Sequence, residues 1–163
     1  MTQEHRRAQQ HRRAQESPGR VRAGRRGREL AVRVLVAAAL AVDAYVHLDL
    51  APAMQLAAPG GVGGGTLFRI QAGAAVVAAL FLLVTGSRLG YALAALVALS
   101  ALVPVLLYSL VNVPALGPIP SLYDPTWYPA KVASVVAETV AVVLAVLGMV
   151  WTGRGPPARL RDA

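Results

Sequence analysis

Apolar positions in this chain gather into four long runs, over residues 30–50, 67–85, 91–111 and 130–151, separated by connections rich in glycine, proline and polar residues. The run over 91–111 reads YALAALVALSALVPVLLYSLV and is apolar around its whole circumference except at Ser100, Tyr108 and Ser109. A helix on the surface of a soluble protein keeps a polar stripe, and an all-round apolar one is buried or lies in lipid. At about 1.5 Å rise per residue, a run of about 20 residues matches a hydrocarbon core roughly 30 Å thick. The pattern predicts an all-α fold, a polytopic membrane four-helix bundle over residues 30–151.

Composition agrees with that class. Of the 163 residues, 56% are hydrophobic and 15% charged, against roughly 25% charged in soluble domains. The net charge of +8 is concentrated in residues 1–29, where nine arginines face Glu4, Glu16 and Glu29. This segment has little apolar surface to bury, so it is expected to be a disordered cytoplasmic tail. Ser17-Pro18-Gly19 reads as an interruption of any helix there. No aromatic residue is interleaved to stack on bases, which disfavours nucleic acid as its partner. Attraction to anionic lipid headgroups is the expected role. Residues 152–163 form a second short basic tail, with Arg154, Arg159 and Arg161 against Asp162.

Charge also orders the connections. The segment over 51–66 carries no charge, 86–90 carries Arg88, and 112–129 carries only Asp124. Basic flanks stay in the cytoplasm, so the alternation predicts a multi-pass plasma-membrane protein with both termini inside. Arg25-Arg26 before an apolar run resembles a cleaved export signal, but the run is longer than the 7–15 residues typical of one and further spans follow. The five glycines among residues 60–65 lack the lysine of a phosphate-binding loop and read as a flexible linker. Tyr123, Trp127 and Tyr128 fall where an interfacial aromatic belt belongs.

The candidate chemistry lies inside the spans. Asp43 and His47, four residues apart, share a helix face. Lys131, Ser134 and Glu138 share another, at i, i+3 and i+7. Helix rise places Asp43, His47, Arg69, Gln71 and Glu138 in one layer of the outer half of the bundle, with Asp49, Lys131 and Ser134 at its rim. An ionised carboxylate at mid-membrane costs at least about 2.5–3.5 kcal/mol and turns toward a partner in the bundle. Two readings follow. In one, Arg69 or Lys131 closes a dry ion-pair network, and the protein is a non-enzymatic accessory or structural component. In the other, Asp43, His47 and Glu138 serve a small-molecule, quinone or proton-handling pocket. A cavity reaching these residues favours the second.

Other chemistries lack their residues. Without cysteine there is no thiolate ligand or thiol nucleophile, and His47 is the one histidine in a span, so haem has no axial pair. No nucleophile elbow or HExxH motif occurs; His47 with two carboxylates is a chemically permissible metal set, but no His-rich spacing marks one. No catalytic residue, cofactor or metal is expected. The bilayer is the expected partner, and a homo-oligomer or a membrane-protein partner is compatible with the pattern.

His47-Leu48 late in the first span, Leu67-Phe68-Arg69-Ile70-Gln71-Ala72 opening the second, and Glu138 in the fourth resemble a group of small four-span actinobacterial membrane proteins. More distantly, residues 30–151 are similar to the DoxX-like four-helix proteins. The closer resemblance implies topology and a plasma-membrane location. The DoxX-like one implies quinone or thiol redox chemistry, and no cysteine is present to carry a thiol role.

Overall fold

The computed structural model describes residues 18–152. The tail expectations over residues 1–17 and 153–163 lie outside them. Among the described residues there are four helices and no strand: α1 (Pro18–Ala57), α2 (Gly64–Thr85), α3 (Arg88–Leu110) and α4 (Pro129–Thr152). All four are long and apolar enough to cross a membrane. The described residues divide between two units, 18–31 and 32–152. In the first, the described residues are the basic start of α1, with Arg26 and Arg28 exposed. The second holds the bundle.

Helix α1 extends beyond the apolar run at both ends. Its first described residue is Pro18, where the sequence suggested an interruption; a proline at the first helical position loses no hydrogen bond, because that N–H has no intrahelical partner anyway. At the other end it passes through Pro52 and closes with Ala58 N–H donating to the Met54 carbonyl at 3.0 Å. The helix itself continues past the apolar run into the connection.

That extension explains the glycines. Gly64 and Gly65 are buried in the first turn of α2, pressed against the end of α1. A Cβ on Gly65 would meet the Ala51 carbonyl and lie 2.7 Å from the Gln55 Cβ. At Gly61, with φ +59°, it would strike the Pro118 backbone, to whose carbonyl Val62 N–H donates at 2.9 Å. In the run expected to be a flexible linker, Gly61 and Gly63 to Gly65 therefore belong to a close-packed joint linking α1, α2 and the third connection, while Gly60 has open space around it.

At the opposite end, Gly86 ends α2 in the left-handed conformation, its N–H donating to the Leu82 carbonyl at 2.8 Å. Ser87 caps α3 by accepting from Gly90 N–H at 3.0 Å, the preferred side chain for that position. The turn between the two helices is consequently short and fixed.

Helix α2 packs on α3, and α3 on α4. The bundle centre is built largely from alanine: Ala72, Ala75, Ala94, Ala98, Ala141 and Ala145 are essentially inaccessible, together with Val36, Leu40, Leu82 and Tyr91. Large apolar side chains face outward, including Val84 at 83% exposure and Leu110 at 78%. In water this inversion would be strongly unfavourable. In lipid, large side chains gain nothing by facing inward, and small ones let the helices approach closely. Four apolar helices packed through alanine and sheathed in Leu and Val make a multi-pass membrane bundle.

Candidate functional site

A cavity of about 390 Å³ opens in the half of the bundle where α1 ends and α4 begins. Its walls are mostly apolar, from residues such as Leu50, Leu67, Phe68, Pro104 and Leu122. His47, Gln71, Ser100, Lys131, Ser134 and Glu138 are among the polar residues of the lining, with Asp124, Tyr108 and Tyr128 toward the third connection, and Asp43 stands behind His47, fully buried.

Helix spacing brings the site together. Asp43 and His47 lie one turn apart on the inward face of α1, with His47 9% exposed. The His47 Nδ1 stands 3.0 Å from the Asp43 backbone carbonyl and 2.8 Å from Asp43 Oδ1. Only the first contact has hydrogen-bond geometry, which leaves Oδ1 without a directed donor. Gln71 Nε2 donates to Asp43 Oδ2 at 3.3 Å and to the Val97 carbonyl at 3.0 Å, and its Oε1 accepts from Ser100 Oγ at 3.1 Å. One amide thus ties α1, α2 and α3 together. On α4, Ser134 Oγ donates to Glu138 Oε1 at 2.7 Å, and Glu138 Oε2 is buried with no hydrogen-bond partner. Donor atoms from Asp43, His47 and Glu138 all lie within 4.8 Å of one another.

The two cations expected at the cluster are elsewhere. Arg69 is exposed. It sits two residues from Gln71, and positions i and i+2 point to nearly opposite sides of a helix; equal depth did not mean a shared face. The same offset from His47 leaves Asp49 exposed. Lys131 is buried but turned toward the third connection, where its Nζ donates to the carbonyls of Asp124 and Thr126 and lies 3.4 Å from Asp124 Oδ2. Its ammonium also sits 5.4 Å from the Trp127 ring centroid and 5.9 Å from that of Tyr128. Lys131 holds the connection down over the cavity and does not neutralise Glu138.

Of the aromatic residues, Tyr123 and Trp127 are exposed, and Tyr128 lines the cavity. Burial, and next the Asp124 carboxylate, push the Tyr128 phenol above its ordinary value. Replacing Arg69 by leucine is expected to change stability by no more than about 0.5 kcal/mol, as for an exposed residue outside any network. Unfolding in detergent checks this, and a loss of several kcal/mol would return Arg69 to the cluster.

Several contributors were not foreseen from the sequence. Phe68 packs against His47 with the ring planes tilted by 47° and the centroids 4.9 Å apart. Ser100, Pro104 and Tyr108 line the cavity from α3 at i, i+4 and i+8, a stripe legible in the sequence once the inward face of that helix is known. Arg33 is a cation inside the first apolar run, and its guanidinium lies against Gly86, where a Cβ would collide with it. No family model, curated protein or solved structure matches this chain.

Proposed function

We propose that this chain is a membrane-embedded binding protein for a small amphipathic molecule. The apolar body of that molecule lies against Phe68, Pro104 and Leu122, and its hydrogen-bonding head group, of the quinone type, meets His47, Gln71 and Glu138. The observation that carries the reading is the cavity itself. Its size and mostly apolar lining, with a few convergent polar groups, are those of a small-ligand site. A purely structural network would have its carboxylates closed by Arg69 or Lys131, and both engage other surroundings.

The test is extraction into native-lipid discs followed by mass spectrometry of bound small molecules. Wild type is expected to retain a discrete ligand. Ala101→Phe, which projects a ring into the cavity from α3, is expected to lower its occupancy at least about tenfold, a change worth about 1.4 kcal/mol of affinity. Equal occupancy in both proteins, or no ligand above the lipid background, would refute the reading.

The proposal includes a plasma-membrane location with both termini in the cytoplasm, supported by the basic flanks and the uncharged or acidic long connections. That places the cavity in the outer half of the membrane. Single cysteines at Gly60, where a Cβ has open space, and at exposed Ala115 should react with an impermeant thiol reagent in intact cells. A cysteine replacing Arg88 should not. The reverse pattern would invert the protein.

A further inference from the structure

We propose that Asp43, His47 and Glu138 form a binding site for one first-row divalent transition-metal ion, of the Mn2+, Fe2+ or Zn2+ type, at the base of the cavity. The set offers one imidazole nitrogen and two carboxylate oxygens, from two helices. Imidazole suits iron and zinc, carboxylate suits manganese, and a mixed set without sulfur excludes the softest ions.

Three features of the geometry converge on an ion. The first is distance. Three donors no more than 4.8 Å apart lie within about 2.8 Å of a common centre (4.8/√3), so side-chain movements under 1 Å reach the 2.0–2.2 Å of Zn–N and Zn–O bonds. The second is the state of each donor atom. Glu138 Oε2 is fully buried without a hydrogen-bond partner, although Oε1 of the same carboxyl group is held by Ser134. Asp43 Oδ1 also lacks a directed donor, although Gln71 holds Oδ2. Each carboxyl group is oriented through one oxygen and presents the other. The His47 ring faces the carboxyl groups through Nδ1, 2.8 Å from Asp43 Oδ1, which makes Nδ1 the ligand nitrogen. Outer contacts such as those from Ser134 and Gln71 ordinarily fix metal ligands in place.

The third feature is charge. Among the described residues, Asp43 has one ionic partner, His47, and Glu138 has none within 4.0 Å. Both carboxylates are completely inaccessible. Two buried carboxyl groups served by a single imidazole leave room for added positive charge, and a divalent ion supplies it while using the carboxyl oxygens that have no hydrogen-bond donor. Because His47 and Glu138 line the cavity, the remaining coordination positions of the ion would open into it.

The site shares His47 and Glu138 with the small-molecule reading, but metal content and ligand occupancy are separate measurements, so either can fail without the other. The experiment uses the full chain, purified without a histidine tag or chelator in an H5Q/H11Q background, so that the tail histidines contribute no binding. Elemental analysis is expected to find close to one first-row divalent ion per chain. After chelator treatment, Co2+ should restore saturable binding with visible absorption bands of a nitrogen–oxygen site. Glu138→Gln keeps the side-chain shape and should weaken Co2+ binding by about 100-fold or more. Ser134→Ala, which keeps every ligand and removes only an orienting contact, should weaken it by about 10-fold to 100-fold. Should Glu138→Gln fail to fold, the wild-type spectrum and the Ser134→Ala titration decide the matter. Wild-type protein that contains no metal and shows no Co2+ bands at millimolar concentration would overturn the proposal. So would Co2+ affinity unchanged in a folded Glu138→Gln protein or in Ser134→Ala.

Discussion

Replacing His47 by leucine is expected to destabilise the folded bundle by about 3–5 kcal/mol, the cost of removing one partner from a buried charge pair. Asp43 is fully inaccessible, and His47 is its one ionic partner among the described residues. Leucine in that place leaves the Asp43 carboxylate with only the amide of Gln71, 3.3 Å from Oδ2. Asp43→Asn in the same chain removes the stranded charge while an amide oxygen still accepts from Gln71. The double variant should therefore recover a substantial part of the loss. Residues in direct contact couple in this way by about 0.5–3 kcal/mol, and distant ones add. The measurement is unfolding in detergent of wild type, both single variants and the double variant, with a chelator present so that any bound ion does not enter the comparison. Strictly additive losses would mean that the 2.8 Å approach of Nδ1 to Oδ1 carries no energy in the folded state.

Much of this arrangement is legible in the sequence, and its errors share a physical origin. Spacings of i, i+4 and of i, i+3, i+7 fix the angle around the helix, and Asp43 with His47, and Ser134 with Glu138, do face inward together. For Arg69 and Asp49 the sequence gives depth alone. Depth follows from the rise per residue, but facing requires the angle too, and both lie two residues from a site member. Lys131 shows a different gap. Its face is right and it is buried, but a long flexible side chain can turn either along the bundle or back toward the loop. Two loop carbonyls and two aromatic rings decide for the loop. Those contacts depend on how the third connection folds over α4, which no helical periodicity encodes. The close packing of Gly61 and Gly63 to Gly65 escapes the sequence for a related reason. Composition alone cannot distinguish a glycine that gives freedom from one that gives room, and Gly65 against Ala51 is the second kind.

The second large effect is expected at a contact that has no charge at all. Tyr91 is fully buried near the start of α3, and its ring fills the space that a side chain at Gly148 on α4 would occupy. A Cβ there would meet three ring atoms, with Tyr91 Cδ1 and Cζ at 2.7 and 2.6 Å. These approaches are too short for any small adjustment to relieve. Gly148→Val is therefore expected to cost about 3 kcal/mol, at the upper end of overpacking penalties, because it must push α4 away from α3 or expel the ring. Tyr91→Ala alone is expected to lose about 3–5 kcal/mol by leaving a cavity where the ring packed. Association of these helices relies on van der Waals fit, since lipid supplies no hydrophobic drive between them. The two changes should consequently compensate: in the Tyr91→Ala background the valine enters the space the ring has left, and the double variant should be more stable than the sum of the single losses predicts. Unfolding of all four proteins in one detergent measures this. A Gly148→Val protein as stable as wild type would mean that the ring has another place to go, and that the close approach of α3 and α4 does not depend on the missing side chain at residue 148.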